Sequence, residues 1–559
     1  MRPIKLLLPA IVAVVVLAPR VSAQDPAARR ERQVDSLFAE FTQGLSPGAA
    51  VEVIRDGKIV LSKGYGYASL EERTPITPAT VFDVASVSKQ FTGLAVAMLI
   101  DQGRIKVTDD IRKYIPELAD VGKTITINHL LHHMSGLRDW PGTLRLAGWQ
   151  GEDVISFSQI LTFAYNQRTL NFTPGAEYMY SNTGFNLLAE MVARVTGKTF
   201  RAWTDEQLFR PLGMTSSHFH DNHNEVVANR AYGYGKTPNG MVAITNNLTA
   251  LGSSSLFTTV EDMARWVMNF EDPKVGGRAA MAMTRTKGVL NDGTTIPYAF
   301  GISHGEYRGR PNVSHGGSWA GFSTAVLHFP EQRFGVIILG NSPIVSATRL
   351  SYAVADIFLD TELGPLPAPV VDPIASAPVA VIAPAVLDRY VGLYRLGPGS
   401  YVRISRDGAG LKAQAGREPE APMTAKSDTS FWVQAYNAPM ILDVAADGGS
   451  VELAFRTRRA PKVQESAPVT PEQLAQLTGE YESDELATSY LVEVKDGGLV
   501  LKHRRHGTIP LTRFWRDDFG AGPGYMRSIE FLRDSTGKAT GFSVFIDERS
   551  RDVRFTRRR

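Results

Sequence analysis

Ser86 and Lys89 stand three residues apart in the run Val-Ala-Ser-Val-Ser-Lys-Gln-Phe at 84–91, immediately before an apolar helix. At that spacing the two side chains share one helical face. The first N–H groups of a helix have no intrahelical partner, so a serine there can aim its own N–H at a developing oxyanion. A lysine enclosed beside it loses proton affinity through desolvation and becomes a base. The pair therefore reads as nucleophile and base. Alone it also fits a capped helix start with one surface lysine, because S-x-x-K arises often by chance.

Two further segments carry chemistry. Tyr180 lies in Phe-Thr-Pro-Gly-Ala-Glu-Tyr-Met-Tyr-Ser-Asn-Thr-Gly, between a Pro174-Gly175 turn and a helix, where a tyrosine can shuttle protons or sit as a half-buried aromatic. Ser314-His315-Gly316-Gly317-Ser318 has two glycines that permit close backbone approach by a ligand, or that simply make a turn.

The elements that must position these residues follow from pattern. Residues 49–68 predict a hairpin, with Val51, Val53, Ile59 and Leu61 alternating around Asp56-Gly57. Phe91, Leu94, Ala95, Met98 and Leu99 recur at helical spacing, and Gly103 closes that helix. A second helix runs over Phe185–Val195 to Gly197. Strands return at Ser323–Phe329 and Arg333–Leu339, turning at Pro330-Glu331-Gln332, and a helix follows over 347–360. The 315–318 segment then lies on or beside an edge strand. Strands at both ends with helices between them predict an α+β domain, its antiparallel sheet closed by the terminal elements around a helical insert.

With 559 residues the chain is long enough for several domains. Residues 364–384, rich in Pro, Ala and Val, read as a linker. Beyond it, Pro384, Leu387, Gly392 and Tyr394 match Pro471, Leu474, Gly479 and Tyr481 at one constant offset. Both copies are short alternating segments between turns, which predicts two small antiparallel β-barrel domains, lipocalin-like, over 385–460 and 471–559. At the other end, Arg2 and Lys5 precede the apolar run Leu6–Leu17 and the small-residue site Val21-Ser22-Ala23. That is a secretory signal peptide over 1–23, cut after Ala23, and it predicts a periplasmic or secreted protein with no stable membrane span after cleavage. The net charge of +3 asks for no nucleic-acid partner. The absence of cysteine excludes disulfides, thiol catalysis and cysteine metal sites.

Taken together, Ser86-Val-Ser-Lys89, Tyr180-Ser-Asn182 and His315-Gly-Gly317, in this order and with a helix after the first, resemble the serine β-lactamase and penicillin-binding protein superfamily. Ile127-Asn-His-Leu-Leu-His-His-Met-Ser-Gly136 and Phe322-Ser323 belong to the same resemblance, which covers roughly residues 30 to 360. It implies a β-lactamase-like catalytic domain over 24–363 and no cofactor. It further implies that Ser86 forms an acyl-enzyme, that Lys89 and Tyr180 share the proton traffic, and that Asn182 orients Lys89 and meets the substrate amide. The N–H groups of Ser86 and Ser318 would form the oxyanion hole, and Gly317 with its strand would align the substrate. The family's third motif usually begins with a lysine suited to a carboxylate; His315 stands there instead, largely neutral near pH 7.

That departure, with two C-terminal β-domains, resembles D-aminopeptidases, in which a barrel loop can reach the active site. Residues 415–430 and 516–526 are the irregular stretches available for such a loop. The implied substrates are small molecules or short peptides: amides with a D-residue or an unblocked amine, then esters, then β-lactams. A non-turnover penicillin- or peptide-binding sensor or scaffold would keep the same residues. His218-Phe-His220-Asp-Asn-His223 approaches a zinc motif but has Asn222 where an acid is needed, and reads as a polar surface loop; His129, His132 and His133 read as structural.

Overall fold

The computed structural model describes residues 25–366, 372–416, 418–445 and 451–558. The leader expected at 1–23 lies outside the described residues. Among the described residues no helix is long and apolar enough to cross a membrane.

Six antiparallel strands form the central sheet: β1 (Ala49–Arg55), β2 (Lys58–Tyr65), β3 (Ser303–Tyr307), β4 (Arg310–Trp319), β5 (Phe322–Phe329) and β6 (Phe334–Gly340), in the order β3-β4-β5-β6-β1-β2. N-terminal and C-terminal strands meet where β1 pairs with β6, Val51 opposite Ile338. Both faces of β1 are covered. Ala50 and Ile54 join one apolar core, while Val51 and Val53 join another that also holds Phe38, Leu350 and Val354. Buried residues therefore run continuously along β1, where simple alternation predicts every second one.

Helix α1 (Pro26–Leu37) and helix α5 (Ala347–Phe358) cover the second face. The first face carries α2 (Lys89–Asp101), α3 (Asn182–Thr196) and α4 (Val260–Met268). Ten of the thirteen residues of α2 are buried, so it is a central helix rather than an amphipathic surface one. Gly103 and Gly197 take the left-handed conformation beyond the ends of α2 and α3.

Beyond the sheet domain stand two closed eight-stranded antiparallel barrels, over Gly392–Val463 and Gly479–Arg557. The internal repeat has a structural reason. Leu387 and Leu474 are buried on the short helices that precede each barrel, and Gly392 and Gly479 adopt positive φ. The hydroxyl of Tyr394 donates to Tyr390 O and that of Tyr481 to Leu477 O, both at 2.8 Å, so each tyrosine ties its first strand to the chain four residues before it.

The second barrel shares an apolar core with the helical insert of the sheet domain. Leu474, Tyr490 and Val492 pack in one cluster with Trp140, Leu144, Leu146 and Phe163. The Tyr490 hydroxyl donates to Leu146 O at 2.8 Å. The first barrel leans on the second, where Tyr401 Oη donates to the buried Asp518 at 2.5 Å.

Candidate active site

The serine turn is built just ahead of α2. Residues Ala85–Ser88 form a 3₁₀ turn running into the helix. Ala85 sits at φ 47°, an uncommon conformation for alanine, and Asp83 Oδ1 holds it by accepting from Ala85 N at 2.8 Å. Ser88 Oγ donates to Ala85 O at 2.5 Å and fixes the turn from within. Ser86 is the one residue of this turn that is not buried.

Lys89 is fully buried. Its Nζ lies 3.2 Å from Ser86 Oγ, 2.8 Å from Asn182 Oδ1 and 2.7 Å from Ser253 O. Burial holds its pKa well below the ordinary lysine value; the charge of Asp139 works against that shift and the charge of Arg549 adds to it.

Tyr180 and Asn182 arrive on the segment that opens α3. Asn182 Oδ1 faces Lys89 because its Nδ2 is committed elsewhere. That group donates to both oxygens of Asp139, at 3.0 and 3.1 Å, and Asn182 N donates to Asp139 Oδ1 at 2.8 Å. Asp139 is buried, which raises its pKa. The Tyr180 ring centroid lies 4.8 Å from Lys89 Nζ, with its hydroxyl on the Ser86 side. Burial raises the pKa of this phenol. His133 orients the segment: its Nδ1 accepts from Ser181 N at 3.1 Å, and its ring centroid is 4.2 Å from that of Tyr180. Burial, then the charge of Lys89, keeps His133 well below the usual histidine range, hence neutral. His129 caps its helix against Thr126, and His132 bridges Asn128 O and Thr286 O, so these two are also tied to protein groups.

The third segment lies on β4. Strand β3 pairs only with Arg310–Ser314, so β4 is internal there and runs on as a free edge over His315–Trp319. That edge packs directly on the serine turn. A Cβ on Gly317 would lie 2.3 Å from Val84 O and 2.3 Å from Thr324 Oγ1, which explains glycine at this position. Ser318 follows, exposed at the cleft.

His315 is turned inward. Its Nδ1 donates to Gly316 O at 2.7 Å, so its Nε2 accepts from the Tyr298 hydroxyl at 2.9 Å. That tautomer is neutral, and burial together with nearby Lys89 lowers its pKa to about 4. The third segment therefore brings no positive charge to the cleft.

The second barrel supplies what no motif announced. Its loop between strands Ala539–Phe545 and Val553–Arg557 reaches the cleft. Arg549 O accepts from Asp139 N at 3.2 Å and from Asn171 Nδ2 at 2.9 Å. The Arg549 guanidinium lies 4.9 Å from the Tyr180 ring centroid and 3.6 Å from Asp139 Oδ2. The irregular stretches singled out in sequence lie elsewhere: Ala415, Gly416 and Glu418, with Ala521 to Gly524, line a cleft of about 1100 Å³ between the barrels.

Ser86, Lys89, Tyr180, Asn182 and the 315–318 strand thus converge on one cleft, and residues 34–358 match the beta-lactamase family model. The chain belongs to the beta-lactamase family. Its layout is shared with D-aminopeptidases. The D-aminopeptidase of Brucella anthropi is 27% identical over 522 residues, covering 89% of this chain and 93% of its own length. A second D-aminopeptidase, from Gluconobacter oxydans, is 29% identical over 328 residues; the match spans 58% of this chain and 61% of that protein. Penicillin-binding protein 4* of Bacillus subtilis is 25% identical over 454 residues, 77% of this chain and 99% of that one. Among solved structures, the octameric penicillin-binding protein homologue from Pyrococcus abyssi superposes with a TM-score of 0.55 at 22% identity, over 78% of this chain and 99% of its own, and supports the fold.

One cluster in this beta-lactamase-family chain departs from its sequence reading. His218–Phe219 form a strand against Leu256–Thr258 rather than a surface loop, and His220 is buried 4.4 Å from the Phe257 ring. Donor atoms of His218, His220 and Glu225 lie within 4.8 Å of one another. Arg201 already grips both Glu225 oxygens, at 2.5 and 2.7 Å, and His218 Nε2 meets His220 Nδ1 at 3.2 Å, so the carboxylate and one nitrogen of each histidine have protein partners.

Proposed function

We propose that this chain is an exported serine hydrolase that acts on small amides and short peptides through an acyl-serine intermediate. The observation that carries the reading is the buried Lys89, 3.2 Å from Ser86 Oγ. As a neutral amine it donates its two hydrogens to Asn182 Oδ1 and Ser253 O and offers its lone pair to the Ser86 hydroxyl.

Ser86 Oγ attacks the substrate carbonyl while its proton passes to Lys89. The carbonyl π pair moves to oxygen, where the N–H groups of Ser86 and Ser318 receive it. Collapse breaks the bond to the leaving nitrogen, which takes the proton from Lys89 by way of the Tyr180 hydroxyl. Water then adds to the acyl-serine, gives its proton to the same base, and the Oγ–carbon bond breaks as Ser86 recovers a proton. Asp139 and Asn182 orient Lys89, and the free edge of β4 from Gly317 aligns the substrate. Export rests on the leader at 1–23, with Arg2 and Lys5 before Leu6–Leu17.

A panel of D- and L-aminoacyl p-nitroanilides, p-nitrophenyl esters and nitrocefin, with Ser86→Ala as control, tests the reading. Turnover abolished in the control supports it. Undiminished turnover of every substrate by Ser86→Ala overturns it.

A further inference from the structure

The charge at the mouth of the cleft has a sign, and a residue of the second barrel sets it. Asp139 is engaged by the backbone and side-chain amide of Asn182. Glu177 is paired with Arg551 at 3.1 Å, and Glu548 with Arg458 of the first barrel. His133 and His315 are neutral. Against these engaged acids stands the guanidinium of Arg549, because Lys89 is the neutral amine of the reading above. Half of the Arg549 side chain is exposed, and among the described residues its guanidinium makes no hydrogen bond; its nearest acid is Asp139 at 3.6 Å.

The backbone that carries Arg549 is also held in place, and its guanidinium rests between Asp139 and the Tyr180 ring. Arg549 N donates to Asp547 Oδ1 at 2.8 Å. Ser550 Oγ meets Thr143 Oγ1 at 2.8 Å, and Arg551 N donates to Asn171 Oδ1 at 2.9 Å. The fully buried Arg138 closes the clamp by donating to Arg551 O and Asp552 O, both at 2.9 Å. A clamped backbone carrying a guanidinium with unfilled donors beside the catalytic tyrosine is a preorganised receptor for a carboxylate.

We propose that Arg549 is the carboxylate-binding residue of this enzyme, and that its substrates are short peptides or related amides bearing a carboxylate beside the scissile bond, not a free amine. The barrel loop thereby returns to the cleft the fixed positive charge that His315 does not provide. A substrate ammonium would meet the Arg549 guanidinium, while Asp139 and Glu177, the acids beside it, are already engaged. The proposal rests on the acyl-serine reading above.

Matched substrates test it. On the leaving-group side, N-acetyl-D-alanyl-D-alanine is compared with its C-terminal amide. On the acyl side, N-succinyl-D-alanine p-nitroanilide is compared with the N-acetyl compound and with free-amine D-alanine p-nitroanilide. A charge-assisted contact predicts that kcat/KM favours the carboxylate member of at least one pair by about 10-fold or more. That ratio falls to near one in Arg549→Ala, is partly kept in Arg549→Lys, and gives way in Arg549→Glu to preference for the free amine. Equal use of both members of each pair by the native protein overturns the proposal, as does native preference for the free amine or a ratio unchanged in Arg549→Ala. Labelling of Ser86 by a fluorophosphonate, run on the native protein, separates the two failures. Labelled Ser86 with no carboxylate preference sinks the assignment of Arg549 alone; absent labelling and turnover sink the acyl-serine reading and this proposal with it.

Discussion

Asp139 accepts from both the backbone N–H and the side-chain amide of Asn182, and so decides which end of that amide faces Lys89. Asp139→Asn keeps the size of the side chain but frees the Asn182 amide to turn. Misplacing a catalytic base in this way predicts a loss of about 100-fold in kcat/KM. The pH profile distinguishes positioning from general damage. The Asp139 charge favours protonated Lys89 and the Arg549 charge opposes it. The acid limb, which reports Lys89 giving up its proton, therefore moves to lower pH in Asp139→Asn and to higher pH in Arg549→Ala. Limbs that stay in place would remove Lys89 as the titrating base.

Gly317→Ala forces a Cβ to within 2.3 Å of Val84 O and Thr324 Oγ1. Both neighbours are held by a hydrogen bond to each other, Thr324 Oγ1 donating to Val84 O at 2.9 Å, so the strand must lift from the serine turn. Overpacking of this kind costs about 1–3 kcal/mol and here also displaces Ser318 N. Stopped-flow acylation should slow far more than stability falls. Unchanged acylation would disconnect β4 from the oxyanion hole.

Glu52 gives a pH dependence of stability unrelated to catalysis. It is fully buried in β1, its Oε2 accepts from Ser62 Oγ at 3.2 Å, and burial raises its pKa to about 7. The folded protein keeps this proton up to about pH 7, whereas an unfolded carboxyl releases it near 4.5. Stability from this group is therefore full below 4.5 and is lost as pH rises through 7. Glu52→Gln should match the native protein near pH 4.5 and exceed it at pH 8 by about 1–3 kcal/mol in thermal unfolding. Equal stability of the two proteins at pH 8 would contradict the burial argument.

Arg138 ties the second barrel to the cleft through a buried pair with Glu485, 3.2 Å away. Arg138→Met leaves that carboxylate uncompensated, a loss of about 3–5 kcal/mol. The loop over 546–552 should then be cleaved faster in limited proteolysis and the carboxylate preference should weaken. Native-like protection of the loop would show that the barrel is held without this pair, by its apolar contacts with Trp140 and Leu146 and the bonds to Thr143 and Asn171.

Legibility followed distance along the chain. Ser86 with Lys89 and Tyr180 with Asn182 are short local patterns, and their helices carry plain apolar spacing, so motif and element could be read together. The barrels were readable because Tyr394 and Tyr481 recur with the same i−4 tie. Asp139, His133 and Tyr298 are single residues whose partners are supplied by tertiary packing. Asp139-Trp-Pro reads only as the start of a helix, and the tyrosine that fixes His315 stands in no motif. Arg549 was the least visible. Its loop is short, and it matters only because the second barrel docks on the helical insert. Parts of the longer irregular stretches at 415–430 and 516–526 instead line the space between the barrels.

The most direct test of the central claim is the mass of the trapped covalent intermediate. Native protein is mixed with a slowly released acyl donor, quenched in acid within its steady state, digested and mapped. The account predicts one acyl adduct, on the peptide containing Ser86, that disappears with substrate depletion and is absent from Ser86→Ala. An adduct on any other residue, or steady turnover with no adduct at Ser86, would contradict it.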